Sequence, residues 1–517
     1  MKKTVLQMSM VLVTLVLGCS FNAANFKSCD LKPESREIWV GAQWYYEGTV
    51  VGPQRGPHAP GERLTFAAVP KKGFRFKGWT GDLAWAKTDG DRVTIDVTDS
   101  TPREVVVNAL FEKVKRPHVF SMSVKATSFA PGGDLVTRER RARFAGWLAT
   151  NGFTKVYLES YRHNVYAPTE TLKAARDELA AAGFEVCGLV TPTCLDLDPS
   201  ATPQAGKYVS CFGNPRARER LREEIARCAR LFDTILLDDF LFANCPKTCV
   251  WCGDDSPAFR LGLVNAVSRE ILAAARLANP DCRCIVKYPC WYQNWAKNGY
   301  DPVAETRMFG ECWIGTETRD ANPDPVQGCC LMETMDRLTG GKCGGGWYDA
   351  LDCSPEKFVE QARYTILGGA RESLVHCYDY LLAKDPGSTP FGEKADRSHA
   401  CAEAFSREVD GLAKLAEFLR GAERTGWSWH VAFAGNNTGV SCHGFRKGGK
   451  HYVVLLNTTG ETRGWTYEEG KPFRKILSLP DDTAGRVAMD GPKNPAVFLE
   501  PHGLLVYDER SDGDKEK

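Results

Sequence analysis

At 517 residues the chain is too long for one average domain, and length alone suggests about three. A formal net charge of +1 leaves no electrostatic footprint for nucleic acid, so no nucleic-acid partner is expected. With 43% hydrophobic residues the composition is ordinary and permits a sizeable core.

The chain opens with Lys2 and Lys3 before an apolar run over 5–17 that is too short to span a bilayer comfortably. The run ends in Val16-Leu17-Gly18-Cys19. This resembles the lipobox of bacterial lipoproteins, which implies a signal peptide over 1–19, lipidation of Cys19, and a membrane partner reached through that lipid anchor. The alternative is an ordinary secretory signal cut near Ala23-Ala24. Either way the protein is expected to be exported, at the cell surface, in the periplasm or secreted. The 20 cysteines are scattered rather than framed, and many, such as Cys228, Cys284 and Cys377, sit in apolar runs where a thiol acts as a small hydrophobe.

A polar linker over 20–37 leads into a small all-β unit over 38–115. Alternating apolar and polar residues separated by Gly and Pro predict short antiparallel strands there. The order Leu64-Thr65-Phe66-Ala67-Ala68, then Phe74-Arg75-Phe76-Lys77-Gly78-Trp79-Thr80-Gly81-Asp82, resembles the internalin-type bacterial repeat. The resemblance implies a spacer or adhesive module, with Trp79 and Phe76 in its core.

From 116 to 421 strands alternate with helices. Candidate strands cover 118–125, 155–161, 185–191, 234–240, 283–288, 308–315, 344–350 and 373–378. Amphipathic helices are predicted over 137–151, 169–182, 214–232, 257–279, 325–339, 355–367 and 398–420, with Ser256-Pro257 and Ser354-Pro355 as N-terminal caps. Such alternation over about 300 residues predicts a (β/α)8 TIM barrel. The span 425–510 returns to strands. Its Asn457-Thr458-Thr459 and its closing Leu499-x-Pro501-x-Gly503-x-x-Val506-Tyr507 resemble the C-terminal β-sandwich that follows the barrel in many glycoside hydrolases. Residues 511–517 form a polar tail.

Function in such a barrel sits at the C-terminal strand ends. There the sequence places Glu159 and Arg162, Asp238 and Asp239, Lys287, Tyr288 and Trp291, Glu311, Trp313, Glu317 and Asp320, Trp347 and Asp349, and Tyr378 and Asp379. Carboxylates with aromatics suit carbohydrate, because sugar rings stack their C–H faces on Trp and Tyr while hydroxyls need charged partners. Strand alternation predicts that only one of Asp238 and Asp239 aims inward. Asp239 followed by Phe240, with Trp313-Ile314-Gly315-Thr316-Glu317 two strands later, resembles the catalytic segments of α-galactosidase-type (melibiase-like) barrels. That family has Lys where Leu237 stands and Asp where Glu317 stands. The resemblance implies Asp239 as nucleophile or base. Glu317 is then expected as general acid, its pKa raised by neighbours such as Asp320, with Glu311 as the rival acid. Asp238, Glu159, Arg162, Lys287, Tyr288, Trp291, Trp313, Asp320, Trp347, Asp349, Tyr378 and Asp379 are expected to bind substrate.

Cys245-Pro-Lys-Thr-Cys249-Val-Trp-Cys252 follows the fourth strand and has near-zinc spacing. A fourth ligand is sought among Cys290, Cys194, His163 and His376. A structural zinc, one disulfide with a spare thiol, and free thiols remain open; no other cofactor is expected. The reading is thus an exported enzyme cleaving O-glycosidic bonds of an external polysaccharide or glycan. Its alternatives are a non-catalytic glycan-binding or adhesion lipoprotein, and a metal-dependent hydrolase using the Cys-rich loop. No G-x-S-x-G elbow occurs in the chain.

Overall fold

The computed structural model describes residues 35–42, 47–54, 56–71, 74–113, 118–196, 210–239, 241–319, 327–381, 395–430, 439–466, 473–481, 484–490 and 494–509. The expected signal peptide with Cys19, Phe240, Asp320 and the polar tail lie outside these residues. Two compact units form, one from residues up to Pro70 with Phe76–Phe111, the other from Lys71–Arg75 and from Glu112 onward.

The N-terminal unit carries two four-stranded sheets. Phe76 packs on Trp79 at 5.4 Å and edge-on to Phe111 at 6.2 Å; Trp79 is buried as expected, whereas Phe76 is half-buried. The expected antiparallel pattern holds for most pairs. Arg36–Ala42 and Glu104–Lys113, however, run parallel. They lie far apart in the chain, so no tight hairpin dictates the opposite sense.

The second unit is built on eight parallel strands: β1 (Val119–Val124), β2 (Lys155–Arg162), β3 (Glu185–Val190), β4 (Thr234–Leu237), β5 (Arg283–Tyr288), β6 (Cys312–Gly315), β7 (Cys343–Asp349) and β8 (Glu372–His376). Each pairs with the next, and β8 pairs back to β1, so the sheet closes into a TIM barrel. Intervening helices are α1 (Arg138–Thr150), α2 (Thr169–Ala181), α3 (Pro215–Ala229), α4 (Pro257–Ala278), α5 (Pro302–Phe309), α6 (Gln327–Leu338), α7 (Pro355–Leu367) and α8 (Ala395–Leu419). Ser256 and Ser354 cap α4 and α7 by accepting from Phe259 N and Lys357 N.

The sequence reading missed α5 and ran the sixth strand back to Met308. Asp301 accepts from Val303 N and Ala304 N, Pro302 occupies the first turn, and Gly310 ends the helix at φ 87°. All three are helix-boundary signals, and they override the strand-like look of Met308-Phe309.

Inside the barrel, every second residue points inward. Tyr157, Cys187, Leu189, Leu236, Ile285, Trp313, Trp347 and Leu374 make one buried cluster that fills the lower interior. Two residues further along the same rows come Glu159, Thr191, Asp238, Lys287 and His376. The apolar plug therefore ends in a charged layer at the mouth.

After α8, two antiparallel sheets follow. Five strands run in the order Glu423–His430, Val440–Lys447, Lys450–Asn457, Leu504–Glu509, Phe473–Leu479, and three more run Arg463–Thr466, Asn494–Leu499, Gly485–Asp490. Leu499 of the smaller sheet joins Val440, Val453, Leu455, Leu505 and Tyr507 of the larger in one core. Tyr364 on α7 bonds Ser441 at 2.8 Å and so ties the barrel to these sheets. Among the described residues no helix is long and apolar enough to cross a membrane.

Candidate active site

The mouth is organised around Lys287, the last inward residue of β5. Its ammonium lies 3.1 Å from Glu317 Oε1, 3.3 Å from Asp239 Oδ2 and 3.6 Å from Asp238 Oδ1. It also sits 4.7 Å from the ring centre of Trp347. Burial works against a charged Lys287, but Asp239, Glu317 and Asp238 outweigh it and hold the ammonium above its ordinary range.

Both members of the Asp238–Asp239 pair reach Lys287, contrary to the expectation that alternation would split them. β4 stops at Leu237, so the chain is free to turn, and Asp239 N donates to Asp238 Oδ1 at 2.9 Å. Asp238 also accepts from Arg162 Nη2 at 2.7 Å. Burial disfavours its ionised form, yet Lys287 and Arg162 hold its carboxyl well below the usual range. Arg162 Nε donates to Glu159 Oε1 at 2.7 Å, and Ala126 N donates to Glu159 Oε2 at 3.0 Å. The Thr191 hydroxyl lies 2.6 Å from Glu159 Oε1 and 3.2 Å from Asp238 Oδ2, and donates to one of them at a time. Thr191 was not singled out from the sequence. A threonine one residue beyond a strand carries no chemical signal until its partners are in place.

Asp239 and Glu317 have the least buried carboxylate side chains of this cluster, 13% and 9% exposed. Burial pushes the Asp239 carboxyl up well above its ordinary value; Lys287 opposes this, and the negative charges of Asp238 and Glu317 add to it. Burial pushes the Glu159 carboxyl up as well, against the opposing effect of Arg162 and the hydrogen bonds it accepts. Glu317 folds back over Gly315, where a Cβ would meet Oε2 at 2.1 Å and Cys290 N at 2.9 Å. Glu317 Oε2 is buried with no hydrogen-bond partner in the structure.

Asp349 accepts both Arg319 Nη1 and Nη2, at 2.6 and 3.0 Å. Burial, only partly offset by Arg319, pushes its carboxyl up to about 6. Trp347 stacks on His376 at 4.5 Å and 24°. His376 takes Ser123 at 2.8 Å, and burial holds its imidazole well below the usual range and therefore neutral.

Six expected site residues lie elsewhere. Glu311 precedes β6 at the opposite, N-terminal end of the barrel, beside Arg283 at 3.4 Å, and accepts from Trp313 Nε1; it is not a rival acid. Trp313 belongs to the buried interior cluster. Tyr288 alternates outward and donates to Glu305 of α5 at 2.7 Å. Tyr378 packs against Phe144 and Trp147 of α1. Asp379 accepts from Ser128 Oγ at 2.7 Å and so ties down the loop after β1. Trp291 lies in the loop after β5, edge-on to Phe242.

Cys245, Cys249 and Cys252 do converge, and their fourth neighbour is Cys211, with all four sulfurs within 4.8 Å of one another. None of the four partners sought from the sequence takes that place. Cys211 arrives from the loop after β3, some distance upstream, which spacing within one loop does not reveal.

A closed eight-stranded barrel with paired carboxylates at its mouth has the architecture of a glycosidase. Residues 112–405 match the family described as "Probable glycosyl hydrolase, catalytic domain", and residues 45–115 match the "Divergent InlB B-repeat domain". The chain belongs to that glycosyl hydrolase family, and its barrel is the catalytic domain. An uncharacterized protein of Saccharolobus solfataricus is 23% identical over 264 residues, 45% of this chain and 43% of that protein; the chain thus spans less than half the length of this relative. Among solved structures, the glycoside hydrolase domain of PgaB (BpsB) from Bordetella bronchiseptica aligns with a TM-score of 0.42 at 12% identity, covering 53% of this chain and 97% of that one. An α-amylase from Geobacillus thermoleovorans aligns with a TM-score of 0.43 at 12% identity, covering 78% and 100%. At such scores the fold rests on the closed ring of strand pairs itself.

Proposed function

We propose that this barrel cleaves O-glycosidic bonds of an extracellular polysaccharide or glycan through Asp239 and Glu317. The observation that carries the reading is that both carboxyls contact one buried ammonium, Lys287 Nζ, at 3.3 and 3.1 Å. Two oxygens on one ammonium lie no further apart than the sum of those distances, which is inside the upper limit of the roughly 5–10 Å that glycoside cleavage uses. Four carboxyls (Glu159, Asp238, Asp239, Glu317) surround two cations (Arg162, Lys287), so the resting site retains a proton. Burial pushes both Asp239 and Glu159 up, and of the two only the Asp239 side chain is open to the mouth, so the proton is assigned there. Asp239 is then the acid that protonates the leaving oxygen. Glu317, with Oε2 unengaged, is the nucleophile or the base that activates water. This division is the reverse of the one inferred from the sequence. Asp238, Glu159 and Arg162 hold the charges in place, and Asp349 with Arg319 borders the same mouth.

A panel of purified glycans assayed by new reducing ends identifies the substrate. On aryl glycosides of that sugar, Asp239→Asn should retain activity with good leaving groups, which need no proton, while Glu317→Gln should lose it with all of them. The opposite pattern restores the sequence-based division of roles. No cleavage across the panel, with glycan binding intact, would favour an adhesion protein. We also propose export with a lipid anchor at Cys19. Mass spectrometry of the membrane fraction should find an acylated N-terminal Cys19 peptide, and recovery of an intact Met1 peptide from the mature protein would sink the idea.

A further inference from the structure

We propose that Cys211, Cys245, Cys249 and Cys252 bind one zinc ion in a closed, structural site that ties the loop after β3 to the loop after β4. The site is independent of which bond the barrel cleaves.

The sulfur geometry comes first. Cys211 Sγ lies 3.5 Å from Cys249 Sγ and 3.7 Å from Cys252 Sγ. A tetrahedral zinc with Zn–S bonds of about 2.3 Å sets its sulfurs about 3.8 Å apart. A disulfide would instead draw one pair to about 2.05 Å and leave the others behind. Four mutually close, unbonded thiols are the arrangement a tetrahedral ion demands.

The backbone is shaped to match. Cys249 N bonds Pro246 O and Gly253 N bonds Cys249 O, both at 2.9 Å, which folds Cys249-Val-Trp-Cys252 into a tight knuckle. Gly253 leaves the knuckle at φ 65°, in the left-handed region. From the other loop, Gly213 faces Cys252 so closely that a Cβ would meet its sulfur at 2.7 Å. Arg260 of α4 donates to Cys245 O at 2.7 Å and to Lys297 O at 2.6 Å, joining the knot to the segment after β5.

Soft thiolates in a tetrahedral set select zinc over hard cations. Binding converts thiols to thiolates and releases their protons to solvent. Four protein sulfurs complete the shell and leave no position for water, so the ion is structural and the metal-dependent hydrolase is not supported. The site lies on the loop that leaves Asp239. At its tip Trp251 is 54% exposed.

The test uses the full chain purified under reducing conditions. Elemental analysis should find one zinc per chain. After chelation, Co2+ should rebind at one equivalent with the intense visible bands and sulfur-to-cobalt charge transfer of a tetrahedral thiolate site. Cys249→Ser should lower metal content and weaken those bands, whereas Cys330→Ser should leave both unchanged. If Cys249→Ser does not fold, the wild-type Co2+ titration decides alone. Zinc below about a tenth of an equivalent together with no stoichiometric Co2+ uptake overturns the proposal, whether the thiols are free or paired.

Discussion

Two of the barrel's buried lysines sit at opposite ends and behave differently. At the N-terminal end Lys155 bonds Glu185 and Glu372, each at 3.0 Å, with its ammonium 5.1 Å from the Tyr157 ring. At the C-terminal end Lys287 contacts Asp238, Asp239 and Glu317 beneath the face of Trp347. The ingredients match, yet the surroundings do not. Glu185 is 61% exposed, so water carries much of its charge. At the mouth no carboxyl near Lys287 exceeds 13% exposure, so these groups compete for two cations and one is driven toward its neutral form. Burial pushes the Glu372 carboxyl up too, but Lys155 faces only Glu372 and the water-exposed Glu185, whereas Lys287 faces three carboxyls shielded from water.

The sharpest contrast is in turnover. Asp239→Asn and Glu317→Gln should each lower kcat on the natural glycan by about 10²–10⁴-fold while leaving the unfolding midpoint near that of the parent chain. Glu372→Gln at the other end should do the reverse, and if it lowers kcat as much as the mouth variants, the two clusters are not distinct. Removing either lysine leaves carboxylates buried without their cation, which costs about 3–5 kcal/mol in urea unfolding. Lys155→Met should show that loss with an unchanged pH–rate profile. Lys287→Met should also shift the profile to higher pH, because the ammonium is what opposes protonation of Asp239.

The barrel was legible because closed parallel strands and their helices write two different periods into the chain, and eight such alternations leave few other folds. Glu317, Lys287 and Asp349 lie where a strand's inward row, counted past its end, meets the mouth, whereas Asp239 is off that row and reaches the mouth only because the chain turns after Leu237. Direction along a strand was harder. Glu311 and Glu317 look equivalent in sequence, and only the α5 cap at Gly310 shows that β6 begins after Glu311 rather than before it. Tyr288 and Trp313 were misread because the inward row cannot be fixed when both faces are apolar: Lys287 takes the mouth, Tyr288 takes α5, and Trp313 fills the floor. Cys211 was invisible because its partners are brought to it by tertiary structure alone.

A smaller effect belongs to Asp349. Its folded pKa of about 6 lies above the ordinary 3.8, so the native state binds more protons than the unfolded chain between those values. Stability from this group is therefore greatest below pH ~4 and falls as pH rises through about 6, by roughly 2–3 kcal/mol in total. Urea unfolding from pH 4 to 7 should show that negative contribution, and Asp349→Asn should flatten it. An unchanged slope would mean that Arg319 already keeps the carboxyl ionised across the whole range.

The smallest expected effect tests whether the N-terminal end of the barrel is chemically silent. Glu311 lies 3.4 Å from Arg283, whose side chain is 52% exposed. Solvent screening at such a pair leaves a contribution of about 0–1 kcal/mol. Its second role is to accept Trp313 Nε1 at 3.0 Å, a bond that the Gln side-chain oxygen can also accept. Glu311→Gln should therefore change stability by no more than about 1 kcal/mol and leave kcat and KM at their parent values. A tenfold fall in kcat would return Glu311 to the reaction, and with it the idea that chemistry reaches the strand starts.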